Sequence, residues 1–298
     1  MPNPVLRGIM PAFPTPIGAD GGPDETALRR LVGFFLDNGC QGLVPLGGTG
    51  EYVALSPAAR ARVVAVTVEA AGGHVPVIPG VLSPGFAEAV AAGRDFACAG
   101  ASGLLLIAPY YVQPGQAGIA EYVRAFRTEV DCPIVFYDIP YKTKVLTEAA
   151  TILGLAQDGT IIGMKACNTD MHHFNTVAAG MPPGFFLLSG EDTLFPAHMA
   201  LGAKGGILAT AALLPAYWVR MFEAASGGRL AEAIAAQRLL LPLLGALFAE
   251  VNPGPLKQAM AMIGQPVGPV LRPLRPPEEA TMAALRAAIE GLRAAGVL

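Results

Sequence analysis

The sequence predicts an α/β fold, a (β/α)8 (TIM) barrel with a C-terminal helical extension. Three observations predict it. Eight short apolar runs alternate with helix-patterned stretches over roughly the first 225 residues, the unit count of a closed parallel barrel. The runs are continuously apolar rather than alternating, as parallel strands covered by helices must be. The chain has 298 residues, 53% of them hydrophobic and 14% charged, enough for one large core and an appendage. A doubly wound open sheet is the alternative, but it would want a recognisable phosphate loop, and no GxGxxG occurs. Residues 1–225 are assigned to the barrel and 226–298 to a C-terminal helical region.

Taken in order, Leu6 to Phe13 reads as the first strand. Asp24 to Asn38 is a helix, started by Pro23 and Asp24, striped by Leu28, Leu31, Val32 and Phe35, and stopped by Gly39. Gly42 to Leu46 is the second strand and Gly47-Gly48-Thr49-Gly50-Glu51 the loop after it. Ser56 caps the next helix with Pro57 at its first position. Val75–Pro79, Gly103–Ala108, Pro133–Tyr137, Thr160–Lys165, Phe185–Ser189 and Gly205–Thr210 are strands three to eight. Helices over 86–99, 116–130, 147–157, 170–179 and 192–201 separate them. Beyond Thr210, helices are expected over 215–225, 230–250, 252–263 and 278–295, with Asn252 as a cap before Pro253 and a proline-rich connector over 265–277.

Composition narrows the function classes. The net charge of −3 comes without a basic block, so nucleic acid is not an expected partner. A mean hydropathy of +0.48 raises the question of a membrane. The longest uncharged run, Phe96 to Ala120, is broken by Gly100, Gly103, Pro109, Pro114 and Gly115, so no spanning segment is expected there. The N-terminus carries Pro2, Pro4, Pro11, Pro14 and Pro16 and no basic stretch ahead of an apolar one, unlike a signal peptide. Cys40, Cys98, Cys132 and Cys167 lie far apart without a CxxC, which fits reduced thiols in a cytoplasm and no structural zinc.

The stretch Thr160 to Asn168 concentrates the chemistry. An apolar strand there ends on Lys165, and feeding a charge into a core is costly unless the charge has a use. Desolvation lowers a lysine pKa and frees the amine as a nucleophile. In a barrel, reactive groups sit at the carboxyl ends of strands. Those ends supply Thr49, Tyr110 and Tyr111, Tyr137, Lys165 and Gly190-Glu191, with Ile207 in the last strand. An amine, phenols and a hydroxyl beside a glycine-rich loop suit carbonyl chemistry. The amine forms an iminium with a ketone, a phenol moves protons, and loop N–H groups with Thr49 hold a carboxylate. Each residue also has a plainer reading. Lys165 could be a surface lysine past a strand end, the loop a tight turn, the tyrosines packing aromatics, and Glu51 a carboxylate at a helix start or one supporting the site from behind; Cys167 shares the parity of Lys165 and so could line the site, or be a small buried hydrophobe. His172 and His173 fall on different sides of a helix, and His74 and His198 are isolated, so no metal site is expected.

Gly47 to Glu51, Pro109-Tyr110-Tyr111, Tyr137-Asp138-Ile139-Pro140, Gly163-Met164-Lys165, Gly190-Glu191-Asp192, Gly205-Gly206-Ile207 and Asn252-Pro253-Gly254-Pro255-Leu256-Lys257 occur in that order. The ordered set, spanning nearly the whole chain, resembles the dihydrodipicolinate synthase/N-acetylneuraminate lyase family. The resemblance implies a Schiff base between Lys165 and pyruvate or another 2-oxo acid, with no cofactor beyond that imine. It implies Tyr137 as the proton shuttle, Tyr111 reaching into a neighbouring subunit's site, Thr49 and backbone N–H groups on the carboxylate, and a homotetramer built from tight dimers. Gly48, Lys142, Gly190 and Ile207 complete the implied substrate-binding set.

Three departures bear on the substrate. The family loop usually carries two hydroxyl residues before Gly-Glu; here the first is Gly48, as in the family's keto-deoxy-glucarate dehydratases. Lys142 stands where the synthases place an arginine for the aldehyde's carboxylate, giving a point charge without the bidentate fork. Pro84 and Arg60 stand at positions resembling the lysine-feedback site, which argues against that feedback. The expected function is a dihydrodipicolinate synthase-like lyase, acting by pyruvate–aldehyde condensation or cleavage. The alternatives are a 2-oxo-3-deoxy sugar acid aldolase or dehydratase, or a weakly catalytic homologue that binds a 2-oxo acid.

Overall fold

The computed structural model describes residues 3–298; Met1 and Pro2, the start of the proline-bearing N-terminal stretch, lie outside the described residues. Seven strands form one parallel sheet: β1 (Gly8–Pro11), β2 (Gly80–Val81), β3 (Leu104–Ile107), β4 (Ile134–Asp138), β5 (Gly163–Ala166), β6 (Phe186–Ser189) and β7 (Gly205–Leu208). Their order is β1-β7-β6-β5-β4-β3-β2. The predicted second strand, 42–46, stands between the two edges. It touches them through single bridges, Ala12 with Val44 and Leu43 with Val77, which bring the barrel round to eight positions. It forms no ladder because Pro45, Pro76 and Pro79 have no N–H to give. What remains is a few bonds: Val44 N–H to Pro11 O at 3.0 Å, Ile78 N–H to Leu43 O at 2.8 Å and Gly80 N–H to Pro45 O at 2.9 Å. The third strand is displaced from its predicted place for the same reason, its ladder beginning only at Gly80. Where β1 meets β7, Gly205 (φ 152°) lies so close to Gly8 that a Cβ would collide with the Gly8 backbone.

Helices α1 (Glu25–Asp37), α2 (Pro57–Ala71), α3 (Phe86–Cys98), α4 (Gln116–Glu129), α5 (Pro140–Thr143), α6 (Ala149–Gln157), α7 (Met171–Gly180), α8 (Phe195–Ala200) and α9 (Pro215–Ser226) follow the strands. The predicted caps are in place: Asp24 accepts from Ala27 N–H at 2.9 Å and Ser56 from Ala59 N–H at 3.2 Å. Each of these helices from α1 to α4 turns one apolar face inward, as Leu28, Leu31, Val32 and Phe35 of α1 show. The short helix α5, directly after β4, was not expected from the sequence, and it is what carries Lys142.

The C-terminal region holds α10 (Leu230–Leu247), α11 (Gly254–Met262) and α12 (Glu279–Ala294). Among the described residues, α10 is the one helix long and apolar enough to cross a membrane by length and composition. It carries Glu232 and Arg238, and it buries Leu240, Leu243, Leu244 and Leu247, packing on α9 and α12. Asn252 is not the cap of α11. That position belongs to Pro253, with Pro255 in the first turn, and the Asn252 side chain is used elsewhere.

Candidate active site

Strand register builds the centre of the site. Ile107 on β3 pairs with Tyr137 on β4, and Tyr137 pairs with Lys165 on β5, so the three side chains form a row at the carboxyl ends of adjacent strands. Lys165 is 6% exposed and Tyr137 5% exposed, and the Lys165 Nζ lies 4.5 Å from the centre of the Tyr137 ring. Burial, with a smaller contribution from neighbouring Cys167, holds the Tyr137 phenol well above the ordinary tyrosine range. At neutral pH it therefore keeps its proton and can donate it. Gly190 begins the loop after β6, its N–H bonded to Ala166 O at 2.7 Å. A Cβ there would strike Cys167 Sγ and come within 2.8 Å of Lys165 Cγ, so only glycine leaves the Lys165 side chain its place.

These residues open into a cavity of about 1040 Å³. Thr49, Lys142, Cys167 and Gly190 line it with Lys165 and Tyr137, and Leu241, Leu244 and Phe248 of the C-terminal region form part of its outer wall. Cys167 donates its thiol to Gly190 O at 3.0 Å, and burial pushes its pKa up to about 12, so it is a neutral wall group. Lys142 is exposed at the cavity rim, placed by α5.

The loop after the second barrel position presents Thr49 to the cavity, 6% exposed, while Gly48 is open to solvent. A Cβ on Gly48 would meet nothing within 4 Å, so the missing hydroxyl is not excluded by lack of room. Asn252 Nδ2 donates to Thr49 Oγ1 at 2.8 Å across 203 residues of sequence. Glu51 stands at the start of a single 3-10 turn, Tyr52–Ala54, as expected, but its buried carboxylate makes no cap bond there. It has a left-handed backbone (φ 57°), pairs with Lys257 Nζ at 2.5 Å and accepts from Leu271 N–H at 2.6 Å. Non-glycine residues in that conformation cost of order 1–3 kcal/mol and persist where surrounding bonds fix them.

The structure brings Gly48, Thr49, Tyr137, Lys142, Lys165 and Gly190 to one cavity, which Ile207 does not line. Tyr111, expected to reach into a neighbouring subunit's site, is 89% exposed with φ 72° and does not line its own chain's cavity. Ile207 is buried in β7 at 1% exposure, and Ala209, just past the strand end, lines the cavity instead. Tyr110 gives its hydroxyl to Leu82 O at 2.9 Å. Arg60 lies 3.9 Å over the Tyr52 ring and pairs with Glu88 at 2.9 Å. His173 is buried against Thr147 O at 2.9 Å and His198 against Ser189 Oγ at 2.8 Å. No three His, Cys, Asp or Glu side chains converge among the described residues.

Two carboxyl groups were missed by sequence reading. Asp192 lines the cavity fully buried, and burial raises its pKa to about 6 although Thr210 gives it both N–H (2.9 Å) and hydroxyl (2.5 Å). Asp138, next to Tyr137, is 0% exposed, has no hydrogen-bond partner on either oxygen, and is pushed up to about 7 by burial. A carboxylate signals nothing of its burial in sequence. The only cue was that Asp138 and Asp192 each fall just past an apolar strand.

Comparisons with known proteins agree with this geometry. The model of the dihydrodipicolinate synthetase family matches residues 5–292. The chain is 38% identical over 285 residues to the 4-hydroxy-tetrahydrodipicolinate synthase of Rhodospirillum centenum, covering 96% of this chain and 98% of that protein. Dihydrodipicolinate synthase from Aquifex aeolicus superposes with a TM-score of 0.93 at 31% identity, covering 97% of this chain and 98% of the other. A monomeric dihydrodipicolinate synthase variant superposes at 0.95 with 28% identity, covering 100% and 99%. With its lysine, phenol and glycine-rich loop at the mouth of one barrel, the chain belongs to the dihydrodipicolinate synthetase family.

Proposed function

We propose that the chain is a Schiff-base lyase that condenses pyruvate, or a related 2-oxo acid, with an aldehyde, or cleaves the product. The observation that carries this reading is the buried pair of Lys165 and protonated Tyr137, side by side on β5 and β4 at the cavity floor. The names of the relatives support it. The Lys165 amine adds to the ketone carbon; Tyr137 relays the amine proton to the oxygen and then gives its own, so that the oxygen leaves as water and Tyr137 is left as phenolate. The resulting iminium gives a C3 proton to the Tyr137 phenolate and becomes an enamine, whose C3 attacks the aldehyde carbon while the new alkoxide takes the proton from Tyr137. Water then releases the product and restores the amine. Thr49 and the loop N–H groups hold the 2-oxo acid's carboxylate, and Lys142 offers charge to a second carboxylate at the rim. No cofactor beyond the imine takes part.

A second reading, 2-oxo-3-deoxy sugar acid aldolase or dehydratase, is favoured by Gly48, where no side-chain hydroxyl links the phenols. A turnover screen decides between them, pairing pyruvate with acidic and neutral aldehydes alongside 2-oxo-3-deoxy acids. Fastest turnover with an acidic aldehyde supports the first reading. Fastest turnover of a deoxy sugar acid supports the second. Adduct formation without turnover of any pair favours a 2-oxo acid-binding homologue.

Assembly as a homotetramer of tight dimers goes with this reading. The exposed Tyr111 supports it, as a side chain free to complete a neighbour's site. Activity should then require a dimer, and an active monomer in sedimentation at assay concentration would contradict the role. A cytoplasmic location is likewise proposed, supported by four free thiols.

A further inference from the structure

We infer that Asn252, from the C-terminal region, is a positioning residue for the 2-oxo acid's carboxylate: it sets the direction of the Thr49 hydroxyl proton. The inference rests on the reading that Thr49 holds that carboxylate. A threonine hydroxyl has one proton to donate and two lone pairs to accept with. Asn252 Nδ2 occupies a lone pair of Thr49 Oγ1 at 2.8 Å. The hydroxyl donates to no protein group among the described residues, so its proton is left for the cavity that both residues line. An acidic ligand would meet a donor already turned toward it, which is the preorganisation that raises affinity without a new contact.

The rest of the C-terminal segment holds the loop on which this depends. Lys257, 2% exposed, pairs with Glu51 at 2.5 Å and donates to Thr15 O at 3.0 Å and Pro269 O at 2.7 Å. Thr15 in turn gives its hydroxyl to Gly50 O at 2.7 Å, and Leu271 N–H reaches Glu51 at 2.6 Å. The residues flanking Thr49 on its C-terminal side, Gly50 and Glu51, are thus fixed from behind by segments more than 200 residues away in sequence, as well as by Thr15. A Gly50 Cβ would meet the Leu46 backbone at 2.6 Å, so the turn itself leaves no freedom. With the loop fixed, the remaining variable is the rotation of the Thr49 hydroxyl, and Asn252 sets it.

The test measures the pyruvate concentration that half-saturates borohydride trapping, which needs no second substrate. It compares wild type, Thr49→Val, Asn252→Ala, Asn252→Asp and the Thr49→Val/Asn252→Ala double variant, with thermal melting to confirm folding. Asn252→Ala should raise the half-saturating pyruvate about tenfold, while trapping at saturation reaches the same level. Asn252→Asp keeps the shape but replaces the donor with an acceptor, which draws the hydroxyl proton away from the cavity, so it should be worse than Asn252→Ala. The double variant should match Thr49→Val within about twofold, because without the hydroxyl Asn252 has nothing to orient. A filler role in the fold predicts instead that the two substitutions lower melting and leave pyruvate saturation alike. If Thr49→Val weakens pyruvate and both Asn252 variants behave as wild type, or if the two effects multiply in the double variant, the inference is wrong and the Thr49 reading stands. If Thr49→Val leaves pyruvate saturation unchanged, the Thr49 reading itself is wrong. Should Asn252→Ala fail to fold, Asn252→Leu, which keeps the volume and adds no charge, takes its place with the same expected and contradicting outcomes.

Discussion

Replacing Asp138 by asparagine should stabilise the chain at alkaline pH and change it little in acid. Asp138 is fully buried at the end of β4, neither carboxyl oxygen has a protein partner, and burial raises its pKa from the usual 3.8 to about 7. In the unfolded chain the group titrates near its ordinary value, so between about pH 4 and pH 7 the folded state binds the extra proton. Stability therefore falls as pH rises through that window. The contribution is fully present below the unfolded pKa and gone once the folded pKa is passed. From pH 5 to the folded value of about 7 is roughly two units, worth about 3 kcal/mol at 1.36 kcal/mol per unit. A neutral amide of the same shape does not carry this dependence, and comparison with wild type cancels the other titrating groups. Urea unfolding of both proteins at pH 5 and pH 8 measures it. The variant should gain about 3 kcal/mol on wild type between the two pH values. A gap that does not change with pH would show that the Asp138 carboxyl titrates normally and that its burial is relieved by something the geometry does not contain.

Three further outcomes follow from the site. Tyr137→Phe keeps the ring beside Lys165 but removes the proton donor, so turnover should fall by about 10²–10⁴-fold with pyruvate saturation much less affected; near-native turnover would place the shuttle elsewhere. Gly48→Thr has room for its side chain and should raise condensation with acidic aldehydes if the missing hydroxyl limits proton transfer, whereas Lys142→Ala should raise KM for an acidic second substrate by about fivefold or less, the worth of an exposed charge, and leave pyruvate adducts intact. A Lys142→Ala variant silent with every acidic substrate that turns over would remove Lys142 from substrate recognition.

Much of this was legible in the sequence because strand ends in a barrel are local features. Lys165 closes an apolar run, and Tyr137 closes the neighbouring one. Parallel register then brings the two side by side without further information. The loop of Gly47 to Glu51 was marked by its glycines. What was not legible lies in long-range contact. Nothing near Asn252 or Lys257 announces that they bond Thr49 and Glu51, and Asn252 resembled a helix cap because an Asn before prolines and a helical run does so anywhere. The second barrel strand looked like any other apolar run, yet Pro45 and its neighbours Pro76 and Pro79 remove the donors a ladder needs. Ile207 was placed in the site by resemblance, but its side chain stays in the β7 core and the chain turns at Ala209 to reach the cavity. Burial of Asp138 could not be read from its type, since carboxylates are mostly exposed.

The central claim is that Lys165 forms the covalent imine. Borohydride added with pyruvate, followed by peptide mass mapping, tests it most directly, because only the iminium is reduced to a stable adduct. The account predicts one reduced pyruvate adduct, on Lys165, and none in Lys165→Met. An adduct on Lys142 or Lys204 instead, or no adduct in the folded wild-type protein, would contradict it.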